Sequence, residues 1–496
     1  MRKFILAALY LITIALHSQQ WVLNYEMPDG VSLVGGAGNS DGNYIVGYCD
    51  YKGNSGYTAA YAMFVDQNGG YHEKKMGFDG YKACFCSAIC LDDGNVFVAG
   101  LKGGTYENHV YDTLWIAIMT PDLEIIEERD YPRIEPYKTW TTDIYMDFNN
   151  QGDVVVLADV SKYDDLVMMT NGVYVVLKCD VHGNLLNSKY FAEGNGPGGA
   201  RPTGIKKVPN SDLMMILGKG FMFNNYHSVS YIDDDLNKVA SYPLQMTESF
   251  WNYCDYWKDG DRFLMSSLSN YYGGGSLGYH ASVFLVDKEG MYMDSLVLDR
   301  VDTADYTAQY GSMAYASDDA IYIATYWENG MNEMPNDAVI YLIDNELNLN
   351  GSKRLVCDDA KIRLKHCQTT SDGGCLVYGQ CKRTNNEEIV CVWKLNQEDF
   401  VVPWHINELP KDSHPRAIYP NPTSDYLNIR SDCVDNQECV IVIRNMKGGK
   451  LFEKRFENSG FMLTIDISMF EEGTYLYEVV SDGRLVNYGK FIKNQY

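Results

Sequence analysis

The sequence predicts an all-β protein, a seven-bladed β-propeller followed by a small immunoglobulin-like β-sandwich. Three observations carry that expectation. A turn leading into an apolar strand recurs seven times, a second strand-and-turn signature keeps the same period, and about 80 C-terminal residues drop the period for short alternating strands. Composition agrees, since 44 Gly and 39 Tyr against 14 Pro favour strands joined by tight turns. Of the 496 residues, 46% are hydrophobic and 22% charged, a globular balance rather than a disordered one. The 41 basic against 66 acidic side chains give a net charge of −25, which argues against nucleic acid or an anionic membrane surface as partner.

Residues 1–18 read as a secretory signal peptide. Arg2 and Lys3 form a positive start, and residues 4–16 are apolar apart from Thr13. His17-Ser18-Gln19-Gln20 then ends the run with polar side chains. Such a run is too short for a bilayer core of about 30 Å, which takes roughly 20 helical residues. The competing reading is a buried N-terminal helix or strand. No cysteine precedes Cys49, which disfavours a lipid anchor, and no later stretch reaches transmembrane length. Removing 1–18 takes away two positive charges and no negative one, so −25 becomes −27.

Residues 19–402 are the expected propeller. The first marker is Asp41-Gly42-Asn43-Tyr44-Ile45-Val46-Gly47, recurring at Asp93, Gln151, Ser211, Gly260, Asp318 and Asp372 with spacings of 49 to 60 residues. The second is a strand ending in a polar turn, as in Phe64-Val65-Asp66, with counterparts ending near Asp122, Asp180, Asp233, Asp287, Asp344 and Asn396. Four short strands fit each unit, which is the content of a propeller blade; a β-solenoid or a pair of sandwiches is the rival. Trp21-Val22-Leu23-Asn24-Tyr25-Glu26-Met27 resembles a fourth strand with no blade before it. We expect it to join the seventh blade and close the ring, removing the sheet edges.

The connections within and between units are unequal. Those from first to second and from third to fourth strand are tight, while the other two classes are long and emerge together on one face, where binding loops usually sit. Aromatic residues in or beside them are the candidate binding residues: Trp251, Tyr253, Tyr256, Trp257, Tyr271, Tyr272, Tyr326 and Trp327. Such rings could stack on sugars or anchor a protein partner; the competing reading packs them between blades. The repeated Asp reads as a turn residue that accepts backbone amides rather than as an acid–base or metal ring. No nucleophile elbow, phosphate loop, metalloprotease helix or paired histidine spacing is present, so no catalytic residue, metal ligand or cofactor is expected.

Thirteen cysteines in an exported chain permit disulfides, with one thiol left over. The expected bridges are Cys381–Cys391, flanking a hairpin centred near 384–387, and Cys433–Cys439 around a short turn. Cys84, Cys86 and Cys90 lack zinc-site spacing and read as strand-core residues.

Residues 403–416, with three prolines, read as a linker to a separate domain at 417–496. That segment opens on Tyr419-Pro420-Asn421-Pro422 and continues with Leu427-Asn428-Ile429. It ends on Gly473-Thr474-Tyr475 and a basic last strand holding Lys490. In that order and spacing these motifs resemble the type A C-terminal sorting domain of the type IX secretion system of Bacteroidota. The resemblance implies a small β-sandwich that partners the outer-membrane translocon and a sortase-like protease, leaving the passenger secreted or at the cell surface. A polar insert at 432–438 departs from the pattern. The passenger is expected to be a binding protein for a glycan or protein ligand on its long-loop face. Alternatives are a propeller hydrolase or lyase acting on polysaccharide or peptide, and a structural surface component. Deleting 417–496 should retain the passenger inside the outer membrane, read by protease accessibility on intact cells; normal surface display would refute the sorting role.

Overall fold

The computed structural model describes residues 21–26, 31–51, 54–78, 82–104, 111–132, 139–161, 173–192, 201–219, 227–244, 249–273, 276–298, 305–327, 337–356, 360–383, 388–400, 426–430, 438–445, 450–457, 462–481 and 484–493. The leader expected at 1–18, the linker and the Tyr419–Pro422 turn lie outside them. The chain divides into two compact units, 1–402 and 403–496.

Among the described residues the first unit contains seven successive antiparallel sheets, six of four strands and one of five. Their first strands are Ser32–Gly38, Lys82–Cys90, Thr139–Phe148, Arg201–Lys207, Ser249–Trp257, Met313–Ser317 and Ala360–Thr369. Each of these packs beside the first strand of the next sheet, and the last packs beside the first, so the sheets form a closed ring. The fold is a β-propeller. In the sixth sheet Asp305–Thr307 and Met313–Ser317 both pair with Ala320–Trp327, so the inner strand is split in two.

Burial explains the strand sequences. Second and third strands are covered by sheets on both sides and are almost continuously apolar; Val155, Val156, Leu157 and Ala158 are all buried. The outer strand Ile125–Pro132 has only one covered face and alternates half-buried with exposed residues.

The ring closes through its N-terminal strand. Trp21–Glu26 pairs antiparallel with Glu388–Leu395, Trp21 opposite Lys394 and Glu26 opposite Ile389. The seventh blade thus takes its outer strand from the start of the passenger, as the sequence suggested. Lys394 on that blade is 1% exposed, its ammonium held by Asp372 Oδ1 at 2.8 Å and Asn396 Oδ1 at 2.9 Å. Burial works against the Asp372 carboxylate. Hydrogen bonds from Lys394, Thr370 and the Gly374 amide nevertheless hold its carboxyl below the usual range.

A β-bulge interrupts the first strand of six of the sheets near mid-length, as between Leu33 and Gly35, Phe85 and Ser87, Pro202 and Gly204, and Leu364 and His366. Opposite three of those bulges stand Gly47, Gly100 and Gly379, residues of the repeat. A Cβ at these positions would lie 2.0 Å from Ser32 O, 2.2 Å from Cys84 O and 2.4 Å from Arg363 O respectively. In the third sheet the interruption widens to 141–143, opposite the buried Asp159, to which Thr141 donates a hydrogen bond at 3.2 Å.

The second unit is a sandwich of a two-stranded sheet, Tyr426–Arg430 with Met462–Asp466, and a four-stranded sheet. The latter runs Lys450–Glu457, Glu438–Asn445, Gly473–Ser481, Arg484–Lys493. Leu427, Ile429, Ile441, Tyr475 and Phe491 share its core.

The expected pair Cys381 and Cys391 does not stand face to face: the hairpin register sets Cys381 opposite Ile389 and Cys391 opposite Gly379, so the two sit diagonally. Cys433 lies outside the described residues; Cys439 stands in the strand Glu438–Asn445.

Two outcomes are expected. Gly100→Ala should lower stability by about 2–3 kcal/mol in urea unfolding, whereas Gly204→Ala, where a Cβ meets nothing within 4 Å, should stay near wild type. Asp372→Ala leaves a buried ammonium without its carboxylate and should cost about 3 kcal/mol. Because the folded pKa of Asp372 is depressed, its contribution is present above the unfolded value of about 4 and disappears as pH falls through the lower folded value. The variant's stability should therefore converge on wild type in acid; an unchanged gap would refute the assignment.

Candidate functional site

All seven first strands run from the long-connection face toward the tight-turn face. Among the described residues, a cavity of about 420 Å³ lies between the first strands, walled by six of the seven sheets. Its walls come from the second halves of these strands, such as 34–38, 86–90, 142–148, 203–206 and 366–369. It therefore extends from the bulges to the tight-turn end of the channel.

Bulges and glycines shape the wall. Gly35, Gly36, Gly38, Gly204 and Gly311 line it and bring backbone to the surface. A Cβ at Gly204 would meet open space. At Gly311 it would fall 2.2 Å from His366 Nδ1, so the missing side chain leaves room for the imidazole. The His366 ring stacks on Tyr378 with centroids 5.4 Å apart. Beside Gly36, Gln368 donates from Nε2 to Asn43 Oδ1 at 3.1 Å, while its Oε1 has no hydrogen-bond partner among the described residues.

Charge enters through Asp143, Asp147 and Lys206. Asp147 is committed to the scaffold: its carboxylate accepts the Phe148 amide and, across to the next sheet, the Lys207 amide, both at 2.9 Å. Asp143 is half-buried beside Tyr310 and Cys86. Burial pushes the Tyr310 phenol up, helped by Tyr48 and Asp143. No cluster of three or more His, Cys, Asp or Glu placed to hold a metal occurs among the described residues.

The repeated aspartates form turns. Asp180 Oδ1 accepts the amides of His182 and Asn184 at 2.9 and 2.8 Å, and Asp344 Oδ1 accepts those of Glu346 and Asn348 at 3.0 and 2.8 Å. Burial opposes the Asp180 charge, but bonds from Asn184 and His182 hold its carboxyl low. Asp234 answers Lys178 of the preceding sheet at 2.9 Å.

Of the expected aromatic residues, Trp257 and Tyr326 have described side chains, and neither lines this cavity. Trp257 is corrected to a core position: it is 8% exposed and packs on Tyr231 and Phe263, between the fourth and fifth sheets. Tyr326 stacks on Tyr306 at 5.7 Å within its own sheet. Trp251, Tyr253 and Tyr256 stand in Ser249–Trp257, Tyr271 and Tyr272 in Arg262–Gly273, and Trp327 ends Ala320–Trp327; their side chains are outside the described set. In the second unit Leu427 and Ile429 are core residues, and Tyr475 donates to Glu471 O at 2.6 Å. Asn428, Gly473 and Lys490 lie within strands.

Loop length in the sequence points to the long-connection face and not to the channel residues. Their signal was present: Gly35-Gly36, Thr141-Thr142-Asp143 and Thr203-Gly204 put glycine or polar residues where neighbouring strands are apolar.

Residues 417–494 match the family described as the secretion system C-terminal sorting domain. No curated protein matches the chain. Among solved structures it is similar to an ulvan lyase, a polysaccharide lyase, at 12% identity and TM-score 0.48, over 78% of this chain and 98% of that one. It is also similar to the β-propeller domain of the trilobed protease from Pyrococcus furiosus, at 10% identity and TM-score 0.40 over 76% and 98%. A protein of unknown function from Dyadobacter fermentans follows at 11% and 0.41, over 64% and 95%. The sorting domain marks a secreted or cell-surface protein that engages the type IX machinery. No helix among the described residues is long and apolar enough to cross a membrane.

Proposed function

We propose that the exported passenger is a binding protein that takes a small polar ligand, of the size and chemistry of a terminal saccharide unit, into the central channel. One observation carries the reading: a cavity of about 420 Å³ at the axis of the ring, walled by apolar side chains interleaved with backbone, hydroxyls, an amide and a few charges. Ligand pockets generally fall between about 300 and 1,000 Å³. Gln368, Thr142 and Thr369 supply donors and acceptors suited to hydroxyl groups, and Lys206 and Asp143 add one charge of each sign. Asp147, the other carboxylate on the wall, is occupied by two backbone amides. That commitment favours binding over a polysaccharide hydrolase or lyase working through paired carboxylates.

Gly204 supplies the test, because a side chain added there enters open space rather than the packed wall. Full-length protein is screened on a glycan array and its best ligand measured by calorimetry. Gly204→Trp should weaken binding at least tenfold while the thermal midpoint stays near wild type. Unchanged affinity in Gly204→Trp would place binding elsewhere, and turnover of a polysaccharide panel would favour the enzyme.

A further inference from the structure

We propose that Cys84 and Cys86 are a thiol–disulfide site on the channel wall, joined to each other in the exported protein and reopened by small thiols. Their sulfurs are 3.6 Å apart. In a regular strand, residues two apart are separated by about 6.6 Å along the chain. Here Cys86 is the extra residue of the bulge, since Phe85 stands opposite Gly100 and Ser87 opposite Ala99. The bulge bends the strand locally and brings the thiols together.

Position adds access. Cys84 is fully buried, but Cys86 lines the cavity, so of these two Cys86 is the one a small disulfide in the channel reaches. Export carries the chain through a compartment where disulfides form. The oxidant is a disulfide, either small or at the active site of a thiol oxidase. The Cys86 thiolate attacks one of its sulfurs and expels the first thiol; the Cys84 thiolate then attacks Cys86 Sγ and expels the second. Two electrons pass to the oxidant, and the two thiol protons leave with the departing sulfurs. Only one residue lies between the cysteines, so the bridge closes a minimal loop and removes little chain entropy. Short, strained bridges are the readily reduced kind, hence the reversibility. The Cys84 hydrogen bond and burial push the Cys86 thiol up, so attack by its thiolate in the folded ring quickens as pH rises.

Full-length protein recovered from the cell surface or medium is denatured in iodoacetamide and digested with trypsin. The peptide 83–102 holds Cys84, Cys86 and Cys90. It should carry a single alkyl group, on Cys90, and be lighter by two hydrogens. Prior incubation of the folded protein with excess reduced glutathione should yield three alkyl groups. In Cys86→Ser both remaining cysteines should be alkylated. Three alkyl groups without reductant, or a label on Cys84 or Cys86 in place of Cys90, would overturn the pairing, and a bridge that resists glutathione would overturn its reversibility.

Discussion

The bend in the inner strands is the constraint on which the rest of this propeller depends. Each first strand must pack beside its neighbours at the ring's centre and still pair with its own second strand. A bulge resolves the conflict by adding a residue, and it drives a carbonyl into the facing strand. Only glycine accepts that carbonyl at Gly47, Gly100 and Gly379. The same bulges turn glycine and polar side chains toward the axis, where a regular strand would alternate apolar residues. Ring geometry and the character of the channel therefore have one origin.

The tyrosines show how neighbouring blades are held in register. Tyr44 donates to Gly94 O at 3.0 Å, Tyr231 to Lys288 O at 2.6 Å and Tyr322 to Gly373 O at 2.8 Å, each reaching a tight turn of the next sheet. Tyr131 reaches Gly183 O in the same way. A tyrosine can bury its ring in the inter-blade core and still satisfy its hydroxyl at a turn carbonyl. The abundance of Tyr is thus partly structural. Acidic residues at those turns accept amides or pair with lysines of adjacent sheets, so a large negative charge is compatible with a closely packed ring.

The repeat was legible because turn chemistry is local. An Asp that accepts amides two and four residues on leaves the same trace in each unit, and two such markers set the sheet count and the closing strand. Leucines at left-handed positions were not legible. Leu123, Leu236 and Leu347 take positive φ where other turns use glycine, and burial of the side chain in the inter-blade core offsets the backbone cost. The cysteine register differs for another reason: shifting a hairpin centre by one residue moves a cross-strand pair onto a diagonal, and spacing alone does not fix that centre. The channel was overlooked because loop length points to a face, whereas a cavity arises from strands far apart in sequence.

Closure links these features to export. The last blade is completed by residues 21–26 pairing with 389–394, the two ends of the propeller. This is the most non-local pairing in the fold, and contacts so distant in sequence are entropically slow to form. Until it forms, the seventh sheet has an open edge and Lys394 lacks the strand that covers it. The sorting domain lies C-terminal to both halves of the seal, so it is synthesised only after every strand of the ring exists. A chain in this order presents its export signal once the whole passenger is available to close. The edge that would otherwise invite intermolecular pairing is then covered within the same molecule.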